Sequence, residues 1–525
     1  MYNSVFPEYL NTLRIYQLQN KATPEATKEF AAHYPQLKYN PMGNTDLYCS
    51  QSGFGGYRIH ISVPEHKEAL EYALLNGINL IDTSANYGDG GSEKLIGEVI
   101  KNLITNKKIK RDNIVIITKA GYIQGQNYKE SQNRKDENRT WPDLVEYGPG
   151  IEHCIHPEFL EDQLNKSLDR LQLETIDFYL LHNPEYYLSW AHKVGIPLTE
   201  ARQEYYQRIS QAFNYLEKEV ARGRIQYYGI SSNTFPGHTD DYNFTSVETI
   251  WHIANNIASN HHFRAVQMPM NLIEHQAVTT INQPSMQSAL EFACDKGLAV
   301  LINRPFNAFI NQRLFRLVDI TGSLSGNISE MDNLLNELIR QENHFDHSMI
   351  DAFEFDEATK KSVQELFSTG SYLAVNWQKL GPYQQWIDSQ SRILVDRINH
   401  GMTILTRHPD LNDEQKRWID FYIDTFNKAL DSLTARYRAK AAREMDQFKK
   451  ATQGIDDQWD GTKKLSHKAL RALRTTRGVS CVLTGIRHVD YVNDVLEELK
   501  TPVEIRDEMH SWLELKEQAK GLHFE

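Results

Sequence analysis

A chain of 525 residues, 40% hydrophobic and 24% charged, has ordinary folded-protein composition, which excludes wholesale disorder and leaves material for a large core. Its net charge of −12 excludes the broad basic footprint of a nucleic-acid-binding surface, so no nucleic-acid partner is expected. No apolar run approaches the roughly 18 residues of a membrane span, and the opening MYNSVFPEYLNTLRIYQ lacks the order of an export signal, which points to a cytoplasmic protein without membrane contact.

In chain order, residues 1–40 form a polar, aromatic-rich extension with one helix expected near TPEATKEFAAHYP. From residue 41 to 309 strands and helices alternate. The pattern starts with YRIHI as a provisional first strand. Next comes the helix SVPEHKEALEYALLNG, with Ser62 as its cap, Pro64 in the first turn and Gly77 as its stop. INLID is the second strand, SEKLIGEVIKNLI the next helix, and NIVIITKAGY a β-branched strand buried on both faces. A long loop, about 124–155, leads into the helix HPEFLEDQLNKSLDRLQLE and the strand IDFYLLHNP. After a second loop, about 184–200, the alternation continues. QRISQAFNYLEKEVARG precedes IQYYGISSN, SVETIWHIANNIA precedes FRAVQMPMN, and MQSALEFACDKG precedes LAVLINRPF.

Residues 310–463 break the alternation. They show no strand pattern but carry amphipathic stretches, such as Trp418, Tyr422, Phe426, Ala429 and Leu433 at helical spacing. The last part, 464–525, holds the final strand VSCVLTGIR and a tail. Eight strands separated by helices predict an α/β chain folded as a (β/α)8 TIM barrel, with a large helical insertion between the seventh and eighth strands. An open doubly wound sheet is the alternative. The insertion follows a strand's C-terminal end, which predicts a lid or one wall of the site. Its basic run RYRAKAAREMDQFKK reads as a solvated helix face. Cys49, Cys154, Cys294 and Cys481 are far apart, without CxxC spacing or clustered histidines, so neither a disulfide framework nor a metal site is expected.

In such a barrel the strand ends converge at one mouth. Those ends supply Asp82 and Tyr87, then Lys119, His182, Ser231, Ser232, Asn233 and Gln267. A lysine ammonium near a tyrosine lowers the phenol pKa, an aspartate orients the lysine, and a neutral imidazole donates a hydrogen bond to a carbonyl oxygen. These four side chains suit proton transfer to a carbonyl oxygen whose carbon receives hydride. Trp190, in the loop after the fourth strand, is a candidate either for the pocket lining or for a hydrophobic staple of that loop.

The segments GINLIDTSANYGDGGSEKLIG, ITKAGY, YLLHNP, YYGISSN, AVQMPMN and VSCVLTGIR together resemble the successive signatures of the aldo-keto reductase superfamily, over about residues 40–310 and 463–500. The resemblance implies a barrel that binds NADPH across its mouth without a Rossmann domain, and interconverts an aldehyde or ketone with its alcohol, the small-molecule substrate. It implies Tyr87 as general acid, Lys119 and Asp82 as its tuning pair, and His182 as the carbonyl-orienting group. For the nicotinamide it implies a Ser-Asn pair and a glutamine. Gln267 matches, whereas Ser231 and Ser232 occupy the pair's register with Asn233 one residue later. Around TGIRHVDYVNDVLEE it implies an adenosine-phosphate segment with Gly485 in the turn and Arg487 as partner of the 2′-phosphate, while Val495 stands where an asparagine is frequent. The other function compatible with the resemblance is an NADP(H)-binding, redox-sensing scaffold whose helical insertion docks a partner protein.

Overall fold

The computed structural model describes residues 18–310, 313–320, 328–407, 411–507 and 509–519. Eight parallel strands close into a barrel in chain order. They are β1 (Ser52–Gly55), β2 (Leu80–Asp82), β3 (Val115–Ala120), β4 (Ile176–His182), β5 (Ile225–Ser231), β6 (Phe263–Pro269), β7 (Ala299–Asn303) and β8 (Val479–Thr484), and β8 pairs with β1 to complete the ring. The helices that follow the strands are α1 (Pro64–Leu75), α2 (Gly91–Thr105), α3 (Pro157–Leu171), α4 (Leu198–Ala221), α5 (Val247–Ile257), α6 (Ala289–Asp295), α7 (Leu465–Thr475) and α8 (Val489–Leu499).

Every residue of β3, β4 and β8 is buried, as strands covered on both faces require. The barrel interior is filled by Leu80, Val115, Ile117, Phe178, Leu180, Ala265, Leu301 and Leu483, among others. Met42, Leu47 and Cys49 join this core from an antiparallel hairpin, Tyr39–Pro41 with Tyr48–Ser50, that closes the N-terminal end of the barrel. Just before it lies the short helix expected near residue 24, Pro24–Ala32, capped by Thr23.

Two local expectations are corrected. The first strand is SGFG and not YRIHI. Gly56 N–H donates to Asp82 O at 2.7 Å and the chain then turns away, leaving Tyr57 65% exposed. Glycine is disfavoured inside strands, which hid β1, but a Cβ on Gly53 would lie 2.6 Å from Leu80 Cδ2, so a larger residue there would have to displace that side chain. The cap of α1 is Val63, while the Ser62 hydroxyl sits 2.6 Å from His60 Nδ1.

The chain divides into two compact units, one holding the barrel and the other centred on residues 307–453. The second lies between β7 and β8 in the chain and is mainly helical. It opens, against the strand-free expectation, with an antiparallel hairpin of Asn307–Ile310 and Arg313–Arg316. Its longest helix, Asp413–Ala451, starts with a capping box from Asn412 and Gln415. Trp418, Tyr422, Phe426, Ala429 and Leu433 of that helix are buried together with Phe345, Phe367 and Trp386 in one apolar cluster. On the helix's basic run, Lys450 pairs with Asp446 and Lys440 faces Glu444, as a solvated face would. Among the described residues no helix is long and apolar enough to cross a membrane.

Candidate active site

Strand register brings the polar ends together. Ser231 pairs with His182 on one side and with Gln267 on the other, and Asp82 pairs with Ile117 two residues before Lys119. Lys119 is fully buried, and its ammonium donates to Asp82 Oδ2 at 2.7 Å and to Thr83 O at 2.9 Å. The other carboxylate oxygen of Asp82 accepts from Gln267 Nε2 at 2.8 Å, and Ser231 Oγ donates to Gln267 Oε1 at 3.0 Å. Asn303, at the end of β7, donates to the same Oε1 at 3.4 Å and keeps a buried Oδ1 without a partner among the described residues. Five strand ends thus share one hydrogen-bonded chain.

Tyr87 leaves the end of β2 on a turn in which Gly88, Asp89 and Gly90 have φ of 56°, 54° and 83°. That left-handed path, easy for glycine, turns the chain sharply into α2. The Tyr87 ring stands 5.1 Å from Lys119 Nζ and 5.8 Å from the His182 ring, edge to face. The expected lowering of the phenol pKa is not found. Burial, then the Asp82 carboxylate and then Tyr57 push Tyr87 well above the usual phenol range. Lys119 is already neutralised by Asp82, and burial pulls its own pKa down. Tyr87 is therefore a neutral proton donor here. Burial, the Lys119 charge and His153 hold His182 well below the usual imidazole range, so its ring is neutral.

Aromatic side chains wall this pair. Tyr57 lies edge-on to Tyr87 with centroids 5.1 Å apart, Tyr122 lies 4.7 Å from His182, and Tyr186 lies 4.9 Å from Tyr122. The loop expected at 124–155 contains a helix, Gly125–Asp136, and a small antiparallel sheet whose last strand places His153 to hydrogen-bond His182 O at 2.8 Å. Trp190 is half-buried and stacks near Tyr187 at 5.8 Å.

The residues proposed for the cofactor do not all behave alike. Ser231 and Gln267 join the chain above. Ser232 is buried and its hydroxyl lies 3.1 Å from that of Thr234, whereas Asn233 is exposed and its N–H donates to Glu185 Oε1 at 2.9 Å. Gly485 is exposed with open space around it, and Arg487 is half-buried before the first turn of α8, within electrostatic reach of His66. Val495 is buried in α8.

Glu185 was missed by sequence reasoning, which has no rule for a buried carboxyl three residues past a strand. Burial pushes it up to about 7, against hydrogen bonds from its own N–H, Asn233 N–H and Ser232 that act the other way. The unfolded chain ionises this group above the reference value of 4.5, and the folded protein only near 7, so folding retains a proton between them. Stability attributable to it therefore falls as pH rises from about 4.5 to about 7 and is level above that. Glu185→Gln is expected to remove this slope, narrowing the pH 5 to pH 8 stability difference by on the order of 2 kcal/mol in urea unfolding. Equal slopes in the two proteins would mean that the carboxyl is ionised when folded.

The model of the aldo/keto reductase family matches residues 52–294. NADH-specific methylglyoxal reductase of Escherichia coli is 27% identical over 202 residues, covering 36% of this chain and 56% of that protein. D-threo-aldose 1-dehydrogenase of a Pseudomonas species is 30% identical over 175 residues, covering 33% and 45%. The chain thus spans about half the length of these curated relatives. A solved structure of glycerol dehydrogenase from Gluconobacter oxydans is 15% identical, covering 92% of this chain and 95% of that one, with a TM-score of 0.45.

Proposed function

We propose that the protein, whose residues 52–294 match the aldo/keto reductase family model, is an enzyme of that superfamily that interconverts an aldehyde or ketone and its alcohol, with hydride exchanged with NADP(H). The observation that carries this reading is the convergence of a neutral Tyr87, the buried Asp82–Lys119 pair and a neutral His182 at one end of the barrel.

The residues present suit a nicotinamide. The buried, partnerless Oδ1 of Asn303, beside the Gln267 and Ser231 side chains, can accept from a carboxamide, and Arg487 offers a planar fork of donors at the start of α8 for a phosphate. A reduced nicotinamide held there would supply the hydride that the substrate carbon takes up. Tyr87 gives its hydroxyl proton to the carbonyl oxygen as charge develops there. The Lys119 ammonium, oriented by Asp82, stabilises the phenolate left behind, and in the reverse direction that phenolate takes the alcohol proton. Gln267 and Ser231 hold the Asp82 carboxylate in place from its other side.

The choice of NADP(H) over NAD(H) rests on Arg487, since the Escherichia coli relative is named as NADH-specific. Arg487→Ala is expected to weaken NADPH binding about tenfold, on the scale of one charge-assisted hydrogen bond, and to leave NADH binding unchanged. Fluorescence titration with the two nucleotides reads this. Equal losses for both would assign Arg487 a structural role.

A further inference from the structure

The helices α1 and α8 pack against each other, and each begins after the C-terminal end of a barrel strand, so their N-termini lie on the mouth side. Their own side chains do not close these ends. Val63 and His488, the residues just before the two helices, make no side-chain cap bond, which leaves both starts suited to an anion. Two cationic-type side chains stand beside them. Arg487 is half-buried immediately before His488, and His66, in the first turn of α1, is only 8% exposed. The His66 ring lies 6.3 Å from the His488 ring, edge to face, and feels the Arg487 charge.

The backbone settles which nitrogen of His66 carries its proton. Where the chain turns at His60 to Val63, the His60 N–H donates to His66 Nδ1 at 3.0 Å. An amide N–H can only donate, so Nδ1 accepts and is bare. The ring proton is then on Nε2, which has no hydrogen-bond partner among the described residues. Burial is the largest influence on this ring and lowers its pKa; the Arg487 and His488 charges act the same way, and the His60 contact and Glu65 oppose them. His66 is therefore an uncharged donor beside a permanent cation. The acids of the two first turns, Glu65 and Asp490, are exposed, and the His60 ring is engaged with the Ser62 hydroxyl.

We propose that His66 is a specificity-determining residue, which donates through Nε2 to the same phosphate that Arg487 holds and so favours NADP(H) over NAD(H). This rests on the nucleotide reading above and deepens it. A phosphate has three oxygens to satisfy, and a guanidinium fork engages two of them. A neutral imidazole adds a further bond without setting a second positive charge against Arg487. The 2′-hydroxyl of NAD(H) is uncharged and shorter than a phosphate, so it gains little from this donor. His66 carries no local signal of such a role, because α1 meets the TGIRHVDYVNDVLEE segment only when β8 pairs with β1.

The substitution that isolates the donor is His66→Asn. Its Oδ1 can accept from the His60 N–H as Nδ1 does, while nothing takes the place of Nε2–H. Fluorescence titration is expected to show NADPH binding weakened about tenfold, the scale of one charge-assisted hydrogen bond, with NADH binding unchanged. Adenosine 2′-monophosphate, which carries the phosphate without the nicotinamide, is expected to lose affinity by the same factor in calorimetry. With Arg487→Ala added, the protein is expected to bind NADPH and NADH alike. An NADPH to NADH affinity ratio that His66→Asn leaves unchanged overturns this assignment alone, whether both affinities stay the same or fall together. A wild-type protein that binds neither nucleotide overturns the nucleotide reading and the assignment with it.

Discussion

Tyr87→Phe is expected to lower kcat for carbonyl reduction by about 10²- to 10⁴-fold, the range typical of a general acid, with nucleotide affinity nearly unchanged. The substitution removes one oxygen from a ring that remains packed between Tyr57 and His182. The ring's apolar contacts persist, so unfolding should move little. The loss falls on the step in which the carbonyl oxygen gains its proton, and no neighbour replaces it. The Lys119 ammonium already donates to Asp82 Oδ2 and Thr83 O. Steady-state kinetics and nucleotide titration on the same preparation separate the effects. A variant retaining more than a tenth of wild-type kcat would remove Tyr87 from the chemistry.

Lys119→Met is expected to be the most destabilising single change at the site, by about 3–5 kcal/mol, the range for breaking a buried ion pair. Lys119 is inaccessible to solvent and Asp82 nearly so, and removing the ammonium leaves the carboxylate with only Gln267 as side-chain donor. The penalty comes from that stranded charge, so adding Asp82→Leu in the same protein is expected to restore most of the stability and none of the activity. Urea unfolding of the two single variants and the double variant gives the coupling energy directly. If the double variant is as unstable as Lys119→Met alone, the cost lies in lost packing and not in an unpaired charge. In that case the tuning role given to the pair loses its support.

Much of the barrel was legible because its central strands, such as VIITKA and IDFYLLH, are continuous apolar runs bounded by amphipathic helices. The first strand was not. SGFG has no hydrophobic pattern, and its Gly53 answers to the crowded approach of Leu80 and Cys481, contacts that only the closed barrel creates. The hairpin after β7 escaped for a related reason, since four-residue strands paired only with each other carry little periodicity.

The site divides in the same way. Asp82, Tyr87, Lys119, His182 and Gln267 sit at strand ends whose order in the chain is their order around the barrel, so they could be gathered from sequence. The direction of the Tyr87 shift could not, because it depends on how far burial outweighs a neighbouring charge, and Asp82 already cancels that charge. Ser232 and Asn233 show another limit. Register alone leaves open which side chain turns inward, and in the fold Ser232 is buried while Asn233 points to solvent. Ser84, Glu185 and Asn303 belong to hydrogen-bond chains between distant strands, which no local motif announces.

The most direct test of the central claim is the consumption of NADPH by the purified protein, followed by absorbance against a panel of aldehydes, ketones and open-chain sugars after binding has been established by titration. Carbonyl-dependent oxidation of NADPH with equimolar alcohol formed, lost in Tyr87→Phe, is the predicted result. Tight nucleotide binding without turnover of any carbonyl would contradict it, and would favour a nucleotide-sensing scaffold built on the same barrel.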